Sequence, residues 1–119
     1  MTGAVPNTEQ LAREFTDDLH ESYRYLARKI QYRAKAFIEM VALHGGVGAA
    51  RILLGGPQTH DGFIRLWEAG ELSHSVEACV LHPKYAVLFS EDERRAARQR
   101  LEDHDFDVDK HVGSLPDGR

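Results

Sequence analysis

The side chains best suited to metal chemistry are Cys79 and His82, one helical turn apart in the run ACVLH, with His74 and Glu77 close by in sequence. A thiolate and an imidazole at that spacing are half of a tetrahedral zinc site, and no second pair has matching spacing. Cys79 also lies among apolar neighbours, where a lone thiol packs as a small hydrophobe. No metal and no cofactor is therefore expected. For catalysis, His60 and Asp61 are adjacent, which does not make their side chains meet, and no G-x-S-x-G context supplies an activated serine. Asp17-Asp18 and Glu91-Asp92-Glu93 fall at expected helix surfaces or N-termini, where solvation and capping account for them. His20, His44, His104 and His111 are scattered over helix ends and loops, and imidazoles such as His44 and His82 suit the carbonyls of helix C-termini. No catalytic residue is assigned, and the chain reads as a non-enzyme.

Residues 44–57, HGGVGAARILLGGP, admit three readings. As a nucleotide loop the stretch fails, because Arg51 stands where the third small residue of G-x-G-x-x-G must let helix and strand approach. It follows a helical segment rather than a strand, and it lacks the Gly-Lys-Ser/Thr ending of a Walker loop. As a helix-turn-helix-like element over 37–54 it supplies a small residue, Ala42, a turn glycine, Gly46, and apolar anchors at Val47 and Ile52. The would-be recognition helix, GAARILL, offers only Arg51 as a long polar side chain for reading bases. The third reading is a tight connection between packed helices. Gly45 or Gly46 takes the left-handed conformation there, and Ala49-Ala50 lets helices come close. We prefer this one, with the glycines as hinges.

The run YRYLARKIQYRAK at 23–35 carries five cations and no acid. Arg24, Arg28, Gln31 and Lys35 are expected along one helical face, beside Tyr32 and near Tyr25, and Lys29 and Arg33 add to the charge. Such a basic-aromatic strip suits phosphates and bases; the alternative is a solvated helix end balanced by its own dipole. Tyr23, Tyr25, Tyr32 and Arg28 are also residue types enriched at protein interface hot spots. A second cluster, Arg94, Arg95, Arg98 and Arg100, is interrupted by acids and reads as an ordinary amphipathic surface.

The elements that must position these groups are helical. Asn7 can cap a first helix whose apolar stripe runs Leu11, Phe15, Leu19, Tyr23, Leu26 and Ile30 over five turns. A second helix over about 34–44 stops at Gly45-Gly46, and a short third, Gly48–Leu54, ends at Gly55-Gly56-Pro57. Thr59 or Asp61 caps a fourth holding Phe63, Ile64, Leu66 and Trp67, closed by Gly70. Ser73 or Ser75 starts SVEACVLH, which must finish before Pro83. Ser90 and Glu93 form a capping box for SEDERRAARQRLEDH. YAVLF at 85–89 is the one plausible strand, and a lone strand has nothing to pair with. The expected fold is all-α: a compact single-domain bundle of five to six helices over 7–106, with a long N-terminal helix, tight Gly-rich turns, a flexible N-terminus at 1–6 and a flexible polar C-terminal tail at 107–119.

Composition sets the class. A chain of 119 residues with 42% hydrophobic and 29% charged residues belongs with single soluble domains. A formal charge of −4 gives no overall basic field for phosphates, so any nucleic-acid contact must be local. The single cysteine excludes an internal disulfide framework and suits a reducing cytoplasm. The N-terminus shows no secretory leader pattern, and no run of 18 apolar residues marks a membrane span.

From Phe37 to Leu101, the phrases FIEMVALHGGVGAARILL, DGFIRLWEAGEL and SVEACVLHPKYAVLF, with the following S-E-D-E-R run, resemble a small uncharacterised bacterial all-helical domain family. The resemblance implies a compact helical unit with Trp67 and the SVEACVL helix in its core. It brings no activity, cofactor or catalytic residue. His74-Ser75 departs from the Leu-Thr helix start that the resemblance leads one to expect. The function expected is a non-enzymatic cytoplasmic accessory or adaptor domain acting on another protein or on itself as a homodimer. The alternative is a nucleic-acid-binding accessory protein using Arg24, Arg28, Lys29, Arg33 and Lys35, aided by Arg51.

Overall fold

A computed structural model of the chain describes residues 7–56 and 61–115. Asn7 opens the first helix, α1 (Thr8–Ile30), its side-chain oxygen accepting from the Gln10 amide at 3.0 Å. The expected stripe faces inward: Phe15, Leu19, Tyr23 and Leu26 are buried, with Leu11 and Ile30 half-buried at the two ends. Phe15 meets Tyr85 and Phe89 edge-on, with ring centres 5.2 and 5.1 Å apart.

The second helix, α2 (Lys35–Gly55), runs on where two separate helices were expected. Its break is one residue wide, at Gly45 (φ 75°, ψ 167°), a conformation that suits glycine. Gly46 then packs directly on α1, its amide donating to Thr16 Oγ1 at 3.0 Å. Ala49 and Ala50 are fully buried beyond it, so the small residues bring α1 and α2 close as expected. By length and composition alone α2 would pass as a membrane span, with a mean hydropathy of 1.5 in its most apolar window. Its kink at Gly45 and the burial of Phe37, Val41, Ala49, Ala50 and Leu54 pack one face of α2 against the fold.

Four further helices complete the described residues: α3 (Asp61–Ala69), α4 (Val76–Val80), α5 (Glu91–Asp103) and α6 (Val108–Ser114). Two 3-10 segments, Leu72–His74 and Pro83–Leu88, flank α4. Ser75 caps α4, and the capping box at Ser90 and Glu93 forms at the start of α5. The YAVLF run is no strand: it lies in and just after the 3-10 turn behind Pro83, with Tyr85, Leu88 and Phe89 buried. The tail expected at 107–119 is likewise helical as far as Ser114, because Asp107 caps α6 by accepting from the Lys110 amide at 3.0 Å, and Val108 is buried. The Thr59 cap, the Pro57 break and the first six residues lie outside the described residues. Trp67, expected in the core, is 46% exposed: in the nine residues of α3, Phe63 and Leu66 take the buried face.

α4 is only five residues long, yet Val76, Glu77, Ala78 and Val80 are all buried in it. Glu77 is paired with Arg100 of α5 at 3.2 Å. Arg100, read from the sequence as surface charge, is 6% exposed. Its guanidinium donates to the Leu53, Leu54 and Gly56 carbonyls at 3.0 to 3.3 Å, at the C-terminal end of α2, where the Leu53 carbonyl also accepts from the Gly56 amide. One side chain thus ties α2, α4 and α5 together. Removing a partner from a buried pair of this kind costs about 3–5 kcal/mol.

Candidate functional site

The corner between α1 and α2 is built by chain geometry. Gln31 enters the left-handed region (φ 57°, ψ 30°) and ends α1, and the Tyr32 amide reaches back to the Leu26 carbonyl at 3.2 Å. The Gln31 side chain donates to the Arg28 carbonyl at 3.1 Å, and Arg65 of α3 donates to the Ile30 carbonyl at 2.8 Å. Ala34, also left-handed (φ 46°, ψ 44°), starts α2 with no side-chain cap. Because α1 stops at Ile30, the run 24–35 does not form one helical strip as expected. It folds round a corner: Arg24, Arg28 and Lys29 lie on the last turns of α1, Tyr32 and Arg33 in the link, and Lys35 on the first turn of α2.

The folding-back changes what these residues can do. Tyr23, expected as an interface residue, is 8% exposed and packs on Phe37 and Tyr32. Burial raises its phenol pKa well above the ordinary value, with the neighbouring Tyr32 adding to the effect. Tyr25 is half-buried and occupied: its ring stacks on His74 at 4.2 Å between centres, and its hydroxyl donates to Glu71 at 3.4 Å. Arg24 pairs with Glu21 at 3.0 Å. Arg51 is held away from the corner by Glu93 at 3.2 Å and by the Leu88 carbonyl at 2.9 Å. The second half of α2 packs its Ala49, Ala50 and Leu54 face inside the fold, so that face is closed to a DNA groove.

Four cations remain: Arg28, Lys29, Arg33 and Lys35, all exposed and, among the described residues, in no ion pair. Lys84 pairs with Glu14, Arg95 with Asp92, and Arg98 with Glu102 and Asp109, whereas Arg13 and Lys110 stand exposed and singly, without an ion pair among the described residues. Arg28 and Lys29 suit the negative end of α1. Lys35, by contrast, sits at the positive end of α2, whose first turn holds no acid. Charge and dipole therefore add to one another there instead of cancelling. Beside them opens a cleft of about 420 Å³ lined by Tyr23, Tyr32, Phe37, Met40 and Leu53, with Arg33, Lys35 and one carboxylate, Asp61, also on its wall. Burial raises the pKa of the Tyr32 hydroxyl, Arg65 lowers it and Asp61 raises it.

The titratable groups elsewhere are engaged differently. A groove of about 320 Å³ brings together His74, His82, His111, Asp18, Glu21 and Cys79, which the sequence scatters over 94 positions. His82 accepts from the Lys84 amide through Nδ1 at 3.1 Å, capping the 3-10 turn. Burial pushes the Cys79 thiol well above its ordinary range. Asp18 accepts from the buried Tyr85 hydroxyl. No group of three His, Cys, Asp or Glu side chains among the described residues has metal-binding geometry. His60 lies outside the described residues, so the His60-Asp61 pair has no geometry to judge.

No protein-family model, no curated protein and no solved structure matches this chain, so no activity is transferred to it.

Proposed function

We propose that this protein is a non-catalytic accessory module that holds the phosphate backbone of a nucleic acid at the corner between α1 and α2. One observation carries the reading: Arg28 and Lys29 at the end of α1 and Arg33 and Lys35 at the uncapped start of α2 are in no ion pair among the described residues, and the latter two line an aromatic cleft. A net charge of −4 confines attraction for phosphates to this corner, which suits a docking contact rather than a general affinity for polyanions. The raised pKa of the Cys79 thiol and the capping role of His82 support a chain without catalysis. A cytoplasmic setting is part of the proposal, in keeping with the single free cysteine.

Fluorescence anisotropy of a labelled oligonucleotide tests it. Four phosphate contacts predict an affinity loss on the order of 10²-fold between 50 and 200 mM salt. Replacing Arg28, Lys29, Arg33 and Lys35 together by alanine should abolish binding at the lower salt. No binding at low salt, or binding unchanged in that variant, contradicts the proposal.

A second reading, docking on another protein or on a second copy, is favoured by Leu43, which stands 80% exposed two residues before the kink. It no longer rests on Tyr23 or Tyr25. An apolar contact centred there would be little weakened by salt and would be lost in Leu43→Glu.

A further inference from the structure

We infer that the cleft beside the basic corner takes an unpaired nucleobase, so that the preferred ligand is single-stranded nucleic acid rather than duplex. The inference rests on the reading of the corner as a phosphate-binding surface and adds what binds next to the phosphates.

A duplex would need a reading element of a different kind. Its bases are read by an element inserted into a groove, with several donors and acceptors facing the base edges. The helix placed for that task buries one face on the core, and its long polar side chain, Arg51, is tied to Glu93 and to the Leu88 carbonyl. A single strand asks for something else: cations that follow the backbone and aromatic faces on which exposed bases stack. The cations are present, and one partly exposed aromatic ring, Tyr32, lies among them. Tyr32 is only half-buried, and the one ring it meets among the described residues, Tyr23, lies 6.2 Å away between centres and is tilted by 54°. Phe37 stands across Tyr23, and Met40 and Leu53 complete an apolar lining. The volume, about 420 Å³, falls within the range of small-molecule sites, about 300–1,000 Å³. Arg33 and Lys35 on the wall of the same cleft place positive charge where the phosphates flanking an inserted base would lie. The Tyr32 hydroxyl, kept protonated, makes no hydrogen bond among the described residues and is a donor for a base edge.

The experiment compares three labelled probes at one salt concentration: an oligothymidylate, a mixed-sequence duplex of the same length, and an abasic strand of the same length. The base-bearing strand should bind at least tenfold more tightly than the other two. Tyr32→Leu should lower its affinity about 5- to 150-fold, the range for losing one stacked base, while leaving the salt dependence unchanged. Tyr32→Phe, which keeps the ring, should retain most of the binding. Equal binding of abasic and base-bearing strands overturns the inference without involving the fold of any variant. Tighter binding of the duplex also overturns it, and both results leave the phosphate reading standing. Binding of none of the probes at low salt overturns both readings.

Discussion

Gly46 shows how little room a single position leaves. A Cβ placed on it would lie 2.5 Å from Thr16 Oγ1 and 2.9 Å from the Thr16 Cα, and a backbone atom cannot swing aside. Gly46→Ala must therefore push α1 from α2, and a loss of about 1–3 kcal/mol is expected in urea denaturation. Gly55 is the control: an added Cβ there meets nothing within 4 Å, so Gly55→Ala should change stability by no more than about 0.5 kcal/mol. Equal losses at the two positions would refute this account of the contact. The sequence placed Gly46 at a turn beside packed small residues, and its role was legible to that extent. Arg100 was not legible. Its partners, Glu77 and the Leu53, Leu54 and Gly56 carbonyls, lie more than twenty residues away, and its neighbours in α5 are surface charges. Tyr23 could have been placed correctly, because it falls on the apolar stripe with Leu19 and Leu26; composition alone made it look like an interface residue.

At the scale of elements, local signals read well and tertiary ones did not. Asn7, Ser75 and Ser90 each cap a backbone amide three residues on, a relation contained within four residues of sequence. Asp107 and Lys110 carry the same signal for α6, obscured by the polar composition around them. The single basic face expected for Arg24, Arg28, Gln31 and Lys35 does not form, because the chain turns at Gln31 and Ala34, both left-handed without a glycine to mark the turn. α6 also carries a prediction. Its His111 shares a groove with His74 of the 3-10 segment and His82 beside α4, facing Asp18 and Glu21 of α1 and Cys79 of α4, with Glu71 and Lys84 adjacent to the two imidazoles. Burial lowers the pKa of all three histidines, and for His111 the other two imidazoles lower it further. A histidine whose folded pKa lies below the unfolded value of about 6.5 leaves the unfolded chain holding more protons just below that pH. Stability is thus fully present above about pH 6.5 and falls as the pH drops through it toward the folded pKa. The melting temperature should be lower at pH 5.5 than at pH 7.5, and hydrogen exchange should report earlier opening of α6. His111→Gln should reduce the difference. A melting temperature that rises on acidification would show the signs to be wrong.

The whole molecule has a Cα radius of gyration of 13.9 Å, against about 13.5 Å expected for a folded domain of this length. One all-helical core fills it, as the periodicity of the apolar residues implied. Elsewhere on the described surface Arg24, Arg51, Lys84, Arg95 and Arg98 are matched by carboxylates, and the corner at Arg28–Lys35 holds four cations without an ion pair in one short stretch of chain. With a net charge of −4, the four cations without an ion pair in these eight residues, next to an uncapped helix start, make a local concentration of positive charge. The central claim is that this corner is where the ligand sits. The most direct measurement is an amide chemical-shift map of the isotope-labelled protein titrated with oligothymidylate at about 50 mM salt. The account predicts shifts concentrated on residues 28–37 and at Arg65, fading at about 200 mM salt. Shifts centred on Leu43 and Ile52, or none at the lower salt, would contradict it.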